Sequence, residues 1–372
     1  MLEQRILERA IGEAGRPISA EPFGAGRIAR FRLEHGPEAG DWFVDTSLQP
    51  VPVETGFVIR DRAGAAVARI WKHPLDPRLP ALRIATDPER LRRIAGAAGS
   101  SGSIEARVLA YRPGRRAVVR LTQHGVHLFV KVVRPGEAED LAAIHDSCRA
   151  AGVPAPEVVH WSPAGVVVVR DAEGTPGPVA ATQMPADAVL DAVETLRAQF
   201  KRVQTGRIAR PSVGTRLDWH IDRLAAALPD RADELRTLRS ALVPHLRRQG
   251  AAEVIHGDLH IGQLFCTDGV ISSVIDIDTA GLGDPCDDTA AFIGHATASA
   301  VRNEVAGRPR DAALLHTLAE TAADRWLTQP RTAALTTLHL IGHAIRAAER
   351  SQEAAHLMLD EALDLQSIRR SR

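Results

Sequence analysis

The stretch Val254-Ile-His-Gly-Asp-Leu-His-Ile-Gly-Gln-Leu-Phe265 carries the most structural information in this sequence. Its apolar ends predict two strands, and the polar segment from His256 to Gln263 predicts a loop between them. The second strand turns at Thr267-Asp268-Gly269, and a return strand over residues 270–277 brings Asp276 back toward the loop. The stretch therefore predicts a hairpin that gathers polar side chains at one end.

Three oxygen-bearing side chains of this hairpin, Asp258, Gln263 and Asp276, suit one kind of chemistry. Mg²⁺ prefers oxygen ligands and usually takes one or two protein carboxylates together with phosphate oxygens of a substrate. Gln263 and Asp276 can supply such oxygens, and Asp278 is a second candidate ligand or a substrate-binding group. Asp258 can accept the proton of an attacking hydroxyl. The pattern therefore favours nucleotide-dependent phosphoryl transfer at a Mg²⁺ site.

The same residues resemble a known superfamily. The string HGDLHIGQ at 256–263 resembles the kinase catalytic-loop pattern H-x-D-x-x-x-x-N. The segments Ile275-Asp-Ile-Asp278 and Gly281-Leu-Gly-Asp-Pro-Cys-Asp-Asp288 are similar to those that follow this loop in aminoglycoside phosphotransferases and choline kinases. The resemblance implies an α+β, two-lobed protein-kinase-like fold with a small β-rich lobe and a large, mostly helical lobe.

The resemblance also implies roles for individual residues. His256 braces the loop, Asp258 is the catalytic base, and Asp276 corresponds to the metal-binding aspartate of kinases. Gln263 departs from the asparagine of the pattern but ends in the same amide oxygen. The variant H-G-D-x-H-x-G-Q is also similar to the loop of bacterial maltokinases. The implied enzyme uses ATP and Mg²⁺ to phosphorylate a hydroxyl of a small molecule: a sugar, an amino sugar or a similar polyol.

Three strand-like segments upstream, residues 104–111, 117–121 and 127–133, predict the small lobe. Lys131 lies inside the third segment, and a lysine within an apolar strand is costly unless its ammonium group meets an anion. The resemblance assigns it to the α- and β-phosphates of ATP. A lysine at a sheet edge, with its ammonium group in solvent, is the alternative.

A helix is predicted from Glu137 to Arg149. The resemblance implies that an acidic residue early in this helix pairs with Lys131. Glu139 is the first choice, and Glu137 and Asp140 are the alternatives.

Further nucleotide contacts are predicted at a basic turn and at a strand end. Arg112-Pro-Gly-Arg-Arg116 stands where a glycine-rich loop is expected, so Arg115 and Arg116 are candidates for phosphate binding. An exposed basic turn without a ligand is equally compatible. Residues 165–171 predict a buried strand, and the kinase resemblance implies that this strand and the connector after it form the hinge that meets adenine, with Asp171 at the end of the strand. A plain core strand has the same pattern.

The amino-acid composition indicates which kinds of binding partner and cellular location to expect. The chain has 372 residues, with 46 Lys and Arg against 46 Asp and Glu, so bulk charge predicts neither nucleic acid nor membrane binding. Its 3 cysteines are scattered and lack metal-type spacing, which favours a reducing, cytoplasmic setting. No apolar run is long enough to predict a membrane span.

We expect three regions: an N-terminal α+β extension at 1–97, a small lobe with the hinge at 98–176, and a helical large lobe at 177–372. A small-residue linker at 95–102 separates the first two. The extension stabilises the small lobe, completes the substrate site or binds a protein partner. The elements expected outside the lobe strands are a helix at 2–14, strands at 27–33, 41–44, 56–60 and 65–71, a helix at 87–94, and helices at 186–204, at 230–248 and from 289 onward.

Two aspartates and a histidine near the loop have competing interpretations. Asp284 and Asp288 flank Pro285 at a predicted helix start, which favours capping and helix-dipole support over substrate contact. His260 lies inside the loop, where it either braces the backbone or meets the substrate.

Two other functions compete with the kinase. His256, Asp258 and His260 form an H-x-D-x-H pattern that could ligate Zn²⁺ or Mn²⁺ in a hydrolase, although Lys131 is then unexplained. A pseudokinase-like scaffold is the other alternative, in which Gln263 and the glycine-poor loop reflect lost turnover and the extension binds a protein or peptide partner.

Overall fold

The computed structural model describes residues 2–370, except residues 88, 92, 94–103, 124, 248 and 249. The chain forms two compact units. Unit 1 comprises Met1–Ala143 and Glu157–Asp171, and unit 2 comprises Ile144–Pro156 and Ala172–Arg372. The predicted linker at 95–102 lies outside the described residues, as does the boundary predicted between 97 and 98.

The first half of unit 1 is a helix and an antiparallel sheet. The strand order is β1-β2-β3-β5-β4, and Leu7 of the helix packs with Phe31 and Ile70 in its core. The sequence predicted four of the strands but missed β1, because Pro17 and Pro22 argue against a strand and are tolerated on the edge strand that β1 forms. The elements are α1 (Leu2–Ile11), β1 (Arg16–Phe23), β2 (Gly26–Leu33), β3 (Gly40–Asp45), β4 (Phe57–Arg60) and β5 (Ala66–Lys72).

A second antiparallel sheet completes unit 1, in the order β6-β7-β8-β10-β9. Its core includes Leu79, Leu82 and Leu91, which pack with Val119 and Val130 of the sheet. Residues that precede the sheet in sequence therefore form part of its hydrophobic core. The elements are α2 (Leu82–Ala85), β6 (Glu105–Arg112), β7 (Arg116–Gln123), β8 (Val126–Val132), β9 (Val158–Ser162) and β10 (Val166–Arg170).

Helices dominate unit 2. Leu224, Leu338 and Met358 belong to its main buried cluster. The helix predicted at 230–248 ends at Leu242, because Pro244 cannot continue it. The helices are α3 (Glu137–Ala150), which starts in unit 1, α4 (Gly177–Ala180), α5 (Ala186–Phe200), α6 (Leu217–Ala227), α7 (Ala232–Leu242), α8 (Pro285–Val305), α9 (Pro309–Trp326), α10 (Pro330–Ala348) and α11 (Gln352–Arg370).

Short strands of unit 2 hold the polar loop. The predicted hairpin forms, with Leu264 opposite Val274 and a turn at Asp268 and Gly269 whose φ angles are 51° and 79°. The return strand is shorter than predicted, because Asp276 adopts a left-handed conformation with φ 57° and ends it. The strands are β11 (Thr175–Pro176), β12 (Glu253–Ile255), β13 (Leu264–Thr267), β14 (Val270–Val274) and β15 (Gly281–Gly283), with β11 beside β13 and β12 beside β15.

Among the residues that the structure describes, no helix is both long enough and apolar enough to cross a membrane.

Candidate active site

The loop from His256 to Gln263 connects β12 and β13 and is fixed from within by His256. This side chain is fully buried, and its ring meets Phe200 edge-on with the centroids 5.7 Å apart. Its Nδ1 accepts a hydrogen bond from the backbone N–H of Asp258 at 3.3 Å, so its Nε2–H donates to the carbonyl of Ile275 at 3.0 Å. Both ring nitrogens are thus engaged in positioning the loop.

Asp288 holds the same loop from the first turn of α8. Its carboxylate accepts hydrogen bonds from the backbone N–H groups of His256 at 2.9 Å and Gly257 at 2.8 Å. Burial raises the pKa of this carboxyl. Asp284 caps the helix as expected, because it accepts from the N–H of Cys286 at 3.0 Å. Asp288 lies in the first turn, as helix-dipole support requires, but its hydrogen bonds to the loop were not predicted. Sequence position at a helix start could not reveal a partner 32 residues away.

Residue 257 must be glycine because the backbone of Thr279 passes very close to it. It has φ 83°, and a Cβ atom there would lie 2.6 Å from the carbonyl oxygen of Thr279. The Thr279 hydroxyl donates to the carbonyl of His256 at 2.8 Å. A side chain at residue 257 would therefore separate the loop from the segment that follows the hairpin.

Asp258, the predicted base, is a partly exposed carboxylate with a defined orientation. Its Oδ2 lies 2.8 Å from Nη1 of Arg210, and its Oδ1 lies 3.8 Å from Nε2 of His295. Arg210 was not predicted, because it lies in an aperiodic segment 48 residues before Asp258. The carboxylate can accept a proton because a quarter of its side chain remains accessible.

Gln263 presents an amide oxygen suited to a cation. The side chain is 5% exposed, and its Oε1 has no hydrogen-bond partner among the described residues. Its backbone is fixed, because its N–H donates to the carbonyl of His260 at 3.0 Å and its carbonyl accepts from the N–H of Ile275 at 2.9 Å. A buried, unpaired amide oxygen fits a hard metal ion better than it fits a packed core.

The predicted metal ligands are brought to the same part of unit 2. Asp276 directly follows Ile275, the residue that is hydrogen-bonded to Gln263. Asp278 lies in the short 3-10 turn of residues 277–279, and its carbonyl accepts from Arg207. The backbone hydrogen bond between Ile275 and Gln263 therefore keeps Gln263 close to the residue before Asp276. Binding of Mg²⁺ by Gln263, Asp276 and Asp278 stays a prediction.

His260 braces the loop and stacks on another histidine. Its Nδ1 accepts from the N–H of Gly262 at 3.1 Å, and its ring lies parallel to that of His295, 4.1 Å between centroids. Burial lowers the pKa of His260. Within the described part of the chain, no three His, Cys, Asp or Glu side chains are arranged to hold a metal ion, so the H-x-D-x-H hydrolase pattern has no structural counterpart.

Lys131 of unit 1 occupies the central strand of its sheet. In β8 it lies opposite Val118 of β7 and Val167 of β10, so the sheet-edge alternative is wrong. On α3, Glu139 is exposed and Glu137 pairs with Arg134 at 2.6 Å. Pairing of Lys131 with an acidic residue of α3 stays a prediction.

The basic turn of unit 1 is held by the N-terminal extension. The N–H of Gly114 donates to the buried carboxylate of Asp76 at 2.7 Å. The guanidinium of Arg115 lies over the ring of Phe23, 5.4 Å from its centroid. Arg116 is exposed at the start of β7.

Asp171 follows β10 directly and is exposed as well. The phosphate and adenine contacts assigned to these residues stay predictions.

Comparison with known proteins gives one family. Residues 109–335 match the model of the phosphotransferase enzyme family, APH. A search of curated proteins found no match.

Solved structures with a similar fold have low sequence identity to this chain. A ligand-free thermostable mutant of aminoglycoside phosphotransferase APH(4)-Ia is 14% identical, with a TM-score of 0.51 over 76% of this chain and 98% of that one. A Ralstonia eutropha JMP134 protein proposed to be an aminoglycoside phosphotransferase is 16% identical, with a TM-score of 0.51 over 76% and 98%. A glucosamine kinase is 16% identical, with a TM-score of 0.49 over 85% and 93%.

The first two structures show that the fold is the predicted α+β, two-lobed kinase-like fold, here with an additional N-terminal α+β extension. The family match covers more than half of the sequence and includes the whole hairpin and its loop. The chain therefore belongs to the phosphotransferase enzyme family.

Proposed function

We propose that this chain transfers the terminal phosphoryl group of ATP, with Mg²⁺, to a hydroxyl group of a small sugar-like or polyol acceptor. The observation that carries the proposal is the position of Asp258. Its carboxylate lines a cavity of about 350 Å³ in unit 2, and the loop that presents it is fixed by buried hydrogen bonds. Family membership supports the reaction class.

Asp258 acts on the acceptor. An acceptor hydroxyl in this cavity donates a hydrogen bond to the carboxylate, which orients the hydroxyl and takes its proton as the bond to phosphorus forms. Arg210 keeps one carboxylate oxygen in place at 2.8 Å. Phosphoryl transfer has a loose transition state, so accurate positioning of the hydroxyl contributes more than strong basicity.

The contacts of the nucleotide and of its metal ion are assigned from the kinase resemblance of the sequence. Lys131 binds the α- and β-phosphates, and Gln263 and Asp276 hold the metal ion, with Asp278 as a further ligand. Mg²⁺ supplies charge neutralisation of the transferred phosphoryl group when bound. The buried amide oxygen of Gln263, which has no hydrogen-bond partner among the described residues, supports this assignment because Mg²⁺ prefers oxygen ligands.

A scaffold without turnover is the competing function, and the substitution of Gln for Asn at residue 263 is the observation that favours it. It predicts nucleotide binding without consumption of ATP in the presence of any acceptor. The retained amide oxygen at residue 263 and the accessible carboxylate of Asp258 favour the enzyme.

The Asp258→Asn variant tests the proposal. We expect kcat to fall by about 10²–10⁴-fold because the amide cannot take a proton, while ATP affinity measured by calorimetry stays unchanged. Turnover is measured as ADP release with a panel of sugars and amino sugars.

Asp268→Asn is the matched control. Asp268 is an exposed aspartate at the hairpin turn with φ 51°, a conformation that asparagine also adopts. Normal turnover in Asp258→Asn would refute the assigned base. Nucleotide binding by the unmodified chain without turnover of any acceptor would instead favour the scaffold.

A further inference from the structure

The cavity beside Asp258, here the acceptor cavity, has a lining rich in arginine. Its charged residues are three arginines, Arg210, Arg216 and Arg346, and two aspartates, Asp258 and Asp287. All belong to unit 2. Its volume of about 350 Å³ lies at the small end of the range of ~300–1,000 Å³ for ligand pockets, which favours a small acceptor.

The two carboxylates are already engaged by protein groups. Asp258 pairs with Arg210 at 2.8 Å. Asp287 accepts a hydrogen bond from the hydroxyl of Ser212 at 2.5 Å. Burial raises the pKa of Asp287 to about 6, so this carboxylate loses its charge more readily than an exposed aspartate. Neither carboxylate offsets the two remaining arginines.

Arg216 and Arg346 carry positive charge that no described carboxylate pairs with. Neither forms a salt bridge with any residue that the structure describes, and both side chains are exposed. Arg216 lies over the ring of Trp219, with its guanidinium carbon 4.1 Å from the centroid, so one of its faces is packed and its N–H groups stay available. Arg346 lies in the last turn of α10.

Three histidines of the acceptor cavity add no charge near pH 7. Burial lowers the pKa values of His295, His339 and His343, so these rings are neutral near pH 7 and offer only hydrogen bonds. A polycationic acceptor would therefore meet two unpaired arginines in this cavity and only one carboxylate besides Asp258. A negatively charged acceptor would meet complementary charge.

We propose that the acceptor is a small hydroxylated molecule with an anionic group, a carboxylate or a phosphate, which Arg216 and Arg346 bind while its hydroxyl lies at Asp258. This inference rests on the proposed phosphotransferase function. Arginine suits both kinds of anion, because its planar guanidinium group donates two parallel hydrogen bonds to carboxylate or phosphate oxygens.

Acceptor kinetics with the full chain test the inference. ADP release is measured at fixed ATP and Mg²⁺ with sugar acids, hexose phosphates, neutral hexoses, amino sugars and one aminoglycoside. We expect the lowest KM for an anionic acceptor. A lower KM for the sugar acids than for the hexose phosphates would identify the bound anion as a carboxylate, and the reverse would identify it as a phosphate. KM for this acceptor should rise with ionic strength, because salt screens exposed charges.

Arginine variants locate the anion site. Arg216→Gln and Arg346→Gln should each raise KM for the anionic acceptor about ten-fold, the equivalent of losing one charged hydrogen bond. KM for ATP should stay unchanged, and KM for the anionic acceptor should rise by a larger factor than KM for a neutral acceptor. Arg236→Gln is the matched control, because Arg236 is an exposed arginine on α7, outside the cavity, that forms a salt bridge with its neighbour Asp233.

The outcomes separate this inference from the proposed function. If a neutral or cationic acceptor has a lower KM than every anionic one, the inference is wrong and the phosphotransferase stands. If no acceptor is phosphorylated, the proposed function fails. The anion site at Arg216 and Arg346 is then tested separately, by calorimetry of gluconate and glucose phosphate binding to the ADP-loaded chain. Binding that Arg346→Gln weakens supports the site, and the absence of binding overturns it.

Discussion

At the scale of single residues, the most informative side chains are buried polar ones whose partners lie outside their own segment. Gln263 is such a residue, because its amide oxygen is enclosed and unpaired among the described residues while its backbone is fixed at both ends. Leaving a buried acceptor unsatisfied costs about 1–3 kcal/mol. If Gln263 binds Mg²⁺ as proposed, the metal ion satisfies this oxygen and removes the cost.

Gln263→Leu tests this interpretation, because leucine keeps most of the side-chain volume and removes the oxygen. We expect the Mg²⁺ concentration for half-maximal ATP turnover to rise about 10–100-fold, while the free energy of unfolding without Mg²⁺ stays the same or increases. Mg²⁺ titrations of turnover and urea unfolding measure the two effects.

Gln263→Asn is the conservative comparison. It restores the family pattern and retains the amide oxygen, so its Mg²⁺ dependence should stay closer to that of the unmodified chain. An unchanged Mg²⁺ titration in Gln263→Leu would remove Gln263 from the metal site.

At the scale of elements, the loop is positioned by three neighbours: β12, the segment after β14, and the first turn of α8. Asp288 links the loop to α8 through two backbone hydrogen bonds and is almost fully buried. Within the part of the chain that the structure describes, neither N–H group donates to another acceptor. Displacement of this carboxylate would therefore move the backbone that carries Asp258.

Asp288→Asn replaces one of the two accepting oxygens with an amide NH₂ group, which faces an N–H donor. We expect a loss of about 1–3 kcal/mol in the free energy of unfolding and a decrease in kcat, since Asp258 is held less accurately. Urea unfolding and steady-state kinetics measure these changes.

Asp311→Asn is the control, because Asp311 is an exposed aspartate in the first turn of another helix, α9. Lower stability with an unchanged kcat in Asp288→Asn would show that Asp288 supports only the fold.

The element-level predictions from sequence succeeded where the pattern is local. The hairpin, the three strands around Lys131 and the helix at Glu137–Ala150 follow from alternation, turns and breakers within a few residues. Strand β1 and helix α6 were missed. The prolines of β1 mask its pattern, and only its edge position in the sheet permits them.

At the scale of the whole molecule, the N-terminal extension is integral to unit 1. Leu79, Leu82 and Leu91 are fully buried in the core of the second sheet, and the Trp71 indole N–H donates to the Tyr111 hydroxyl at 3.3 Å. Truncation of a buried leucine to alanine typically lowers the free energy of unfolding by about 2–5 kcal/mol.

We therefore expect a chain of residues 98–372 to expose apolar surface and to unfold at a lower temperature than the full chain, or to aggregate. Calorimetry and dye binding measure this. An equal unfolding temperature with intact ATP binding would show that the extension is dispensable for the fold and favour a separate role, such as a protein partner.

Stability should also depend on pH through the buried histidines of unit 2. Burial lowers the pKa of His343 to about 3, aided by Arg302 and other positive neighbours, and the pKa of His339 to about 4. The unfolded chain protonates its histidines near pH 6.5. It therefore binds protons that the folded chain excludes, and stability falls as the pH drops from about 6.5 to about 4.

The variant with both His339→Gln and His343→Gln should lose less stability between pH 7.5 and pH 5 than the unmodified chain, by on the order of 1 kcal/mol per histidine. Urea unfolding at the two pH values measures the difference, which is insensitive to a general loss of stability in the variant. His35→Gln, at an exposed position, is the control. If the free energy of unfolding changes equally between the two pH values in all three chains, His339 and His343 are not held neutral in the folded protein.

The sequence by itself determined the family, the fold class, the hairpin and the candidate base, because these depend on residue types and spacing within short segments. Only the tertiary structure placed Arg210 at Asp258, Asp288 under the loop, Asp76 at Gly114, and Arg216 and Arg346 in one cavity. These contacts join segments far apart in the chain, 48 residues for Arg210 and 38 for Asp76. Packing of the cores sets such distances, and no local pattern of hydrophobicity or charge specifies them.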